Sequence, residues 1–325
     1  MGSGDGADVV QAVAIEINTH HPIHRDTRRY WECAFKIFAP LVICYRMLLC
    51  GRMTHNNQCR VVPNGPRRIV CLTEEPTELL YALGEGDRIV GISAYTLRPP
   101  EARESKPVVS AFIGGSVPKI AALKPDLIIG FSDIQADLAK KLISANLPVL
   151  IFNQRTIQEI FEMIVTVGGI VGRRQEAQDL VSSYLSNIER VQARASKRAL
   201  RPTVYFEEWG EPMICGIEWV SELIDIAGGR DVFAEKARGR GAKDRFVSVE
   251  ELVSAAPDVY LASWCGKAFD RDLVDGRPGA QDIPALRSGR VHEIQPEIIL
   301  QPGPACLTDG LAELERCIHA PSPHA

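Results

Sequence analysis

PKIAALKPDLIIGF (residues 118–131) and SVEELVSAAPDVYLASW (residues 248–264) are two copies of one pattern in a chain of 325 residues. Each copy begins with a short amphipathic helical segment and breaks at a Pro-Asp pair. Each then ends in a run of apolar residues that is typical of a buried strand. The same helix–break–strand unit is therefore predicted once in each half of the chain.

The repeat extends upstream of both copies. TELLYALGEGDRIVGI (residues 77–92) is matched by SELIDIAGGRDVFA (residues 221–234), and each follows a strand that ends in paired glutamates, RIVCLTEE (68–75) and TVYFEE (203–208). Strands that alternate with helices at this spacing indicate parallel sheets covered on both faces. We therefore predict an α/β fold with two similar lobes, and a ligand cleft between them, since ligands bind preferentially at domain interfaces.

Between the two halves lies a long helical stretch. Residues 156–168 and 175–200 carry apolar side chains at the spacing of one buried helical stripe, which predicts a rigid strut that joins the lobes and limits their hinge motion. The predicted segments are a leader, disordered or non-native, at 1–65, a first lobe at 66–153, the strut at 154–200 and a second lobe at 201–320.

The leader and the cysteines bear on localisation. AFKIFAPLVICYRMLLC (residues 34–50) resembles a secretory segment, but Lys36 and Arg46 interrupt it, and Leu49 is bulky where a small residue is needed before a cleaved bond. The nine cysteines form no CxxC pair, and free thiols suit a reducing compartment. These features favour a cytoplasmic location, with a periplasmic or membrane-tethered location as the alternative.

Composition and missing motifs exclude several function classes. The formal net charge of −4 provides no basic face for nucleic acid, and the common hydrolase, metalloprotease, P-loop and Rossmann motifs are absent. His292 is the only histidine between Arg68 and Leu311, so no metal site is predicted. We expect a monomeric, non-catalytic protein without a bound cofactor.

The carboxyl ends of parallel strands line the ligand crevice in α/β proteins. Aromatic and acidic residues are concentrated at these positions, and aromatic walls suit a large, flat, partly apolar ligand. The other carboxylate pair, Glu74 and Glu75, is interpreted as a cap of the helix that starts near Thr77. The predicted ligand-binding residues are Tyr95, Phe112, Phe131, Asp133, Glu208, Trp209, Met213, Trp219, Trp264 and Cys265.

Seven segments resemble the class III substrate-binding proteins of ABC importers, in particular the cobalamin-binding branch. They are RIVCLTEEPTELLYALGE (68–85), ISAYTLRPP (92–100), IAALKPDLIIG (120–130), YFEEWGEPMICGI (205–217), ELIDIAGGRDVFA (222–234), ASWCGK (262–267) and IILQPGPACLTDGLA (298–312). The resemblance implies a bilobal protein that captures cobalamin, with Tyr95 and Phe112 at positions that contact the corrinoid.

The resemblance also implies docking to an ABC permease through one acidic residue on each lobe. Glu250 fits this role in the second lobe, whereas Pro118 and Lys119 occupy the corresponding position in the first. One alternative is an iron–siderophore or haem binder, which would use Arg98 and Arg155 for an anionic ligand. The other is a cytoplasmic corrinoid-handling accessory or enzyme with functional Glu207 and Glu208.

Overall fold

The computed structural model describes residues 65–323, so the predicted leader lies outside the described residues except for Gly65. The first lobe is built on a parallel sheet with the strand order β3-β2-β1-β4-β5. Its strands are β1 (Ile69–Cys71), β2 (Ile89–Ser93), β3 (Val108–Ser110), β4 (Leu127–Phe131) and β5 (Val149–Phe152). Its helices are α1 (Glu75–Ala82), α2 (Pro100–Ser105), α3 (Val117–Ala122) and α4 (Ala136–Ser144).

Two helices follow the first lobe, and the second lobe contains five strands and seven helices among the described residues. The two helices are α5 (Ile157–Ile170) and α6 (Arg174–Ala195). The strands are β6 (Thr203–Gly210), β7 (Met213–Cys215), β8 (Arg230–Asp231), β9 (Val259–Ala262) and β10 (Val291–Glu293). The helices are α7 (Glu218–Ile226), α8 (Ala234–Ala237), α9 (Val249–Ala255), α10 (Arg271–Asp275), α11 (Pro284–Arg287), α12 (Pro296–Ile299) and α13 (Leu311–Ile318). The predicted α/β class with central parallel pairing is confirmed.

The second sheet differs from the prediction in one strand. β7 pairs antiparallel with the end of β6, which extends β6 to Gly210. Glu207 and Glu208 therefore lie inside a strand instead of at its end. β8, a strand of two residues, pairs parallel with the first residues of β6.

The duplicated unit is confirmed, and its helices begin in the same way. The Ser116 hydroxyl accepts a hydrogen bond from the Lys119 backbone N–H at the start of α3. The Ser248 hydroxyl accepts one from the Glu251 N–H at the start of α9, and the Glu251 carboxylate accepts the Ser248 N–H in return. Capping satisfies backbone donors that a helix leaves unpaired at its first turn.

The Pro-Asp break connects each unit to the central strand of its sheet. The Asp126 carboxylate accepts hydrogen bonds of 2.8 Å from the backbone N–H groups of Arg67 and Arg68, directly before β1. The Asp258 carboxylate accepts hydrogen bonds from the N–H and the hydroxyl of Thr203 at the start of β6, both at 2.8 Å. The repeated aspartate therefore aligns two neighbouring parallel strands in each lobe.

The strut consists of α5 and α6, which pack against each other. α6 has 22 residues and spans about 33 Å. It ends at Ala195, before the predicted end at residue 200, where Leu200 is 79% exposed. Its buried stripe comprises Ala177, Tyr184, Ile188 and Val191.

Gly168 and Gly169 of α5 are a matched pair for testing this packing. A Cβ at Gly168 would lie 2.3 Å from the Ala177 Cβ, whereas one at Gly169 would lie 3.6 Å from the nearest atom, on Arg174. We expect Gly168→Ala to lower the free energy of unfolding by about 1–3 kcal/mol through overpacking. Gly169→Ala should raise it by about 0.5–1 kcal/mol through helix propensity. Urea denaturation measures both, and equal effects would contradict the close approach of the helices.

The C-terminal segment returns to the first lobe and joins the two lobes. The Ala305 N–H donates to the Glu78 carboxylate of α1 at 3.1 Å, and the Gln154 side chain donates to the Pro302 carbonyl at 3.0 Å. One hydrophobic core runs through both lobes and both strut helices. Among residues 65–323, no helix has the length and apolar character needed to cross a membrane.

Candidate functional site

A cavity of about 330 Å³ lies between the lobes, at the carboxyl ends of their strands. The first lobe lines it with segments that follow β1, β2 and β3, and the second lobe with segments at the ends of β9 and β10. The lining residues are Glu74, Tyr95, Leu97, Phe112, Trp264, Cys265, Gly266, Lys267, Ala268, Glu293, Gln295, Pro296, Glu297 and Gln301. This is the position predicted for a ligand site in parallel α/β sheets.

The first-lobe wall is apolar and solvent-accessible. Tyr95 is 44% exposed and Leu97 is 48% exposed, and Phe112 is half-buried beside them. Tyr95 reaches across the cleft, because a Cβ on Gly266 would lie 3.4 Å from its ring. Gly266 has a φ of +71°, which favours glycine. These exposed apolar side chains can stack on a ligand without disturbing the core.

Trp264 is held differently from the first-lobe aromatics. Its side chain is 1% exposed and packs edge-on against Phe269, with ring centroids 5.2 Å apart. The Lys267 ammonium lies 5.1 Å from the indole centroid. Trp264 therefore supports the second-lobe wall from within the core, and the segment that follows it, residues 265–268, supplies most of the accessible surface.

A buried polar cluster centred on Glu207 holds Trp264 in place. Glu207 is fully buried, and its two oxygens accept five hydrogen bonds of 2.7–3.1 Å. The donors are Tyr205, Tyr260, Trp264 and, through two nitrogens, Arg277. Burial and the charge of the carboxylate raise the pKa of both tyrosines well above the usual value. Both oxygens of Glu207 are therefore occupied by hydrogen bonds within the core. This arrangement does not support the alternative in which Glu207 acts in catalysis.

Glu208 belongs to a second ion pair near the cleft. Its carboxylate accepts hydrogen bonds from two nitrogens of Arg245, which also donates to the Cys215 carbonyl at 2.6 Å. Arg245 is 4% exposed. Cys265, in the cavity wall, is close enough to Glu208 and Glu74 that burial, with their charges, raises the pKa of its thiol to about 11. Cys265 is therefore a neutral thiol at neutral pH.

The two arginines considered for an anionic ligand are already paired with carboxylates. Arg98 donates to Glu78 at 3.1 Å and to Asp309 at 2.7 Å. Arg155 donates to Asp133 at 3.3 Å, and its guanidinium lies 5.9 Å from the Phe131 ring centroid. Neither arginine lines the cavity.

Four of the ten predicted ligand residues line the cavity: Tyr95, Phe112, Trp264 and Cys265. The other six lie outside this lining. Phe131 and Trp219 are buried and meet edge-on with centroids 6.4 Å apart, and the Trp219 indole donates to the Ile299 carbonyl. Met213 is buried in the second-lobe core, and the half-buried Trp209 donates to the Glu211 carbonyl.

Asp133 and Glu208, the remaining two, form the ion pairs with Arg155 and Arg245 described above. The ligand role of these six residues stays a prediction.

Ten residues of the cavity lining were missed from the sequence, and three of them are acidic: Glu74, Glu293 and Glu297. Glu74 was interpreted as a helix cap, but its side chain makes no cap hydrogen bond, and α1 begins at Glu75 instead of near Thr77. Glu74 is instead 6% exposed and lines the cavity. The position of Glu74 after a strand could have indicated a place in the cavity. It was interpreted as a cap because a helix starts directly after it.

Two further predictions concern surfaces and metals. Glu250 is exposed in the first turn of α9, where hydrogen bonds from the backbone and Ser248 lower its pKa and keep it charged. Pro118 and Lys119 are exposed at the equivalent position of α3. Permease docking through Glu250 stays a prediction. Across residues 65–323, no three His, Cys, Asp or Glu residues converge to hold a metal ion.

Comparisons with known proteins agree with this architecture. Residues 69–298 match the family described as periplasmic binding protein. An uncharacterized ABC transporter substrate-binding lipoprotein of Bacillus subtilis (strain 168) is 27% identical over 81% of this chain and 83% of its own length. A vitamin B12-binding protein of Vibrio parahaemolyticus is 27% identical over 78% of this chain and 88% of its own. The apo structure of a periplasmic heme-binding protein from Roseiflexus sp. RS-1 superposes with a TM-score of 0.65 at 24% identity, covering 78% and 100% of the two chains.

The predicted cytoplasmic location is wrong, because the matched family is extracytoplasmic and the similar Bacillus protein is a lipoprotein. The free cysteines misled the prediction. Cys71, Cys215, Cys306 and Cys317 are buried, and Cys265 is half-buried. Burial raises the pKa of each of these thiols, so the reactive thiolate is disfavoured. Free cysteines in this fold therefore say little about the compartment.

Proposed function

Because this chain belongs to the periplasmic binding protein family, we propose that it captures a corrinoid, cobalamin, in the inter-lobe cavity. It acts as a non-catalytic monomer and delivers the ligand to an ABC-type permease. The vitamin B12-binding relative supports the ligand class, and the substrate-binding lipoprotein supports the coupling to an importer.

The observation that carries the proposal is the composition of the cavity. Tyr95, Leu97 and Phe112 present an apolar wall on one side, and the lining also contains the carboxylates of Glu74, Glu293 and Glu297. An apolar wall with a few polar groups is the usual form of a small-molecule site, and 330 Å³ lies within the usual size range. A corrin ring stacks on such a wall, and its peripheral amides supply N–H donors for carboxylate acceptors. The cavity encloses one part of this large ligand, and the rest projects from the cleft mouth.

The same charges disfavour the alternative ligands. Haem carries two propionates, and ferric siderophores are commonly anionic. Both would therefore bring negative charge next to the carboxylates of the cavity lining. Lys267 is the only basic side chain that the cavity lining contains. Arg98 and Arg155 are occupied by carboxylates of the protein itself. A neutral, amide-rich ligand fits this arrangement better than an anionic one.

The test is binding of three ligands to the purified protein. Cyanocobalamin should quench tryptophan fluorescence and raise the melting temperature, whereas haem and an anionic ferric catecholate siderophore should bind more weakly. Isothermal titration with each ligand provides the dissociation constants. Absence of cyanocobalamin binding, or tighter binding of haem or the siderophore, would overturn the proposal.

Tyr95 provides a sharper test of where the ligand binds. We expect Tyr95→Ala to weaken cyanocobalamin binding by about 10- to 100-fold, because loss of an aromatic stacking partner costs about 1–3 kcal/mol. The control is Leu200→Ala, which removes an exposed apolar side chain outside the cavity and should leave the dissociation constant unchanged. Equal affinity of the Tyr95 variant and the wild type would exclude this wall as the corrinoid contact.

A further inference from the structure

Glu74 and Glu75 form a pair of adjacent buried carboxyl groups beside the cavity. Glu74 is 6% exposed and Glu75 is 2% exposed. In each residue the Oε2 atom is buried and has no hydrogen-bond partner among the described residues. Buried polar atoms are nearly always paired, so two unpaired carboxyl oxygens in sequence require an explanation.

Neither Oε2 atom takes part in a hydrogen bond that stabilises the described part of the fold. Glu75 makes one hydrogen bond, accepting from the Thr73 hydroxyl at 2.7 Å through Oε1. Its stem packs against Gly303, where a Cβ would lie 2.7 Å from the Glu75 Cβ. Glu74 makes no cap hydrogen bond, and neither residue forms a salt bridge within the described part of the chain. Of the two, only Glu74 lines the cavity.

The charged and titratable groups around Glu74 are mostly acids or neutral groups. Glu74 faces Glu75 and, from the opposite lobe, the Cys265 thiol, and Glu75 also faces the thiols of Cys71 and Cys306. The remaining titratable groups of the cavity lining are Tyr95, Lys267, Glu293 and Glu297. An unpaired acceptor among carboxylates requires a hydrogen-bond donor, and it excludes a ligand that presents an anion at this point.

Resting on the proposed function, we propose that Glu74 accepts a hydrogen bond from a peripheral amide N–H of the bound corrinoid, and that this binding releases a proton from the Glu74–Glu75 pair to solvent. Glu74 is then a specificity-determining residue that selects the amide edge of the ligand. A carboxylate at that edge, as in a corrinoid with a hydrolysed amide, is rejected.

The direction in which the affinity changes with pH follows from the pKa values of the two carboxyl groups in the free protein. Burial raises the pKa of Glu74 to about 7. Burial, with the neighbouring Glu74 charge, raises that of Glu75 to about 8. A donor from the ligand stabilises the charged form of Glu74 and lowers its pKa in the complex. Affinity therefore increases as the pH rises through the pKa of the free protein, and one proton is lost on binding.

The experiment is isothermal titration of the full-length protein with cyanocobalamin between pH 5.5 and 8.5. Titrations at pH 7 in buffers of different ionisation enthalpy count the protons released. We expect the wild-type dissociation constant to fall about tenfold between pH 6 and 8, with net proton release. Glu74→Gln keeps an acceptor of the same shape, so it should bind with little pH dependence and no proton release. Glu104→Gln, at an exposed position of α2 outside the cavity lining, is the control and should retain the wild-type slope.

The outcomes separate the two proposals. Absence of binding at every pH would overturn the corrinoid assignment itself. Binding that is independent of pH in the wild type, or a slope that persists in Glu74→Gln, would overturn the role of Glu74 while the corrinoid assignment stands. If the pH dependence of the dissociation constant is lost in Glu75→Gln but kept in Glu74→Gln, the titrating group is Glu75. That result would also overturn the inference. Circular dichroism of each variant verifies that it is folded.

Discussion

Arg277→Met is expected to lower the free energy of unfolding by about 3–5 kcal/mol, because it leaves the Glu207 carboxylate buried without its counter-ion. Glu207 is fully buried, and two of its five hydrogen bonds come from Arg277. Arg277 also donates to the Gly210 carbonyl at 3.1 Å, so the substitution removes a backbone contact at the end of β6 as well. Urea denaturation followed by circular dichroism measures the loss.

Arg316→Met is the matched control. Arg316 pairs with Glu313 on the solvent side of α13, and its side chain is 60% exposed. Exposed pairs at this helical spacing contribute about 0.3–0.5 kcal/mol, so the control should change stability little. Because Glu207 also accepts the indole N–H of Trp264, Arg277→Met should shift the tryptophan emission as well. Similar losses in the two variants would mean that the buried cluster is not a major source of stability.

Glu75→Gln is expected to stabilise the protein, by an amount that increases with pH. Burial, with the Glu74 charge, raises the Glu75 pKa from 4.5 to about 8. A raised carboxyl pKa means that its contribution to stability is complete below pH 4.5 and is lost as pH rises through 8. The neutral glutamine does not carry this penalty, so the free energy of unfolding of the variant should exceed that of the wild type by about 4–5 kcal/mol at pH 8.5 and by about 1 kcal/mol at pH 5.

Urea denaturation at pH 5, 6.5 and 8.5 tests this expectation. Glu104→Gln, at an exposed position of α2, is the control, since surface substitutions of this kind change stability by about 0.5 kcal/mol or less. If the difference between Glu75→Gln and the wild type stays constant with pH, the buried pair is not the source of the pH dependence. A chain that retains a destabilising pair beside its cavity is consistent with a functional use of that pair.

The fold was predictable because its determinants are local and repeated. The alternation of helical and strand periodicity identified two α/β lobes, and the Pro-Asp pairs marked where each strand begins. In the structure, Asp126 and Asp258 bond to the chain at the start of the central strands, so the sequence pattern and the long-range contact coincide. The antiparallel β7 was missed because its three residues acquire strand structure only by pairing with β6.

The candidate site was only partly predictable. Position at a strand end predicted Tyr95 and Phe112 as ligand residues, and both line the cavity, because the topology brings those ends to one edge. It did not distinguish an exposed wall residue from a core residue: Trp219 and Met213 have the same kind of position but are buried elsewhere. Side-chain exposure depends on what the other lobe covers, and that information is spread over distant segments.

The residue order of this chain alone specifies two duplicated lobes, a helical strut and a cleft, since periodicity, capping and turn chemistry act over a few residues. Only the tertiary structure determines which carboxylates have all their oxygens hydrogen-bonded and which keep an oxygen without a partner. Glu207 and Glu74 each begin an adjacent pair of glutamates, yet Glu207 receives five hydrogen bonds, whereas the buried Oε2 of Glu74, a residue of the cavity lining, has no partner among the described residues. The physical reason is that hydrogen-bond satisfaction and desolvation depend on neighbours brought together only when both lobes have folded.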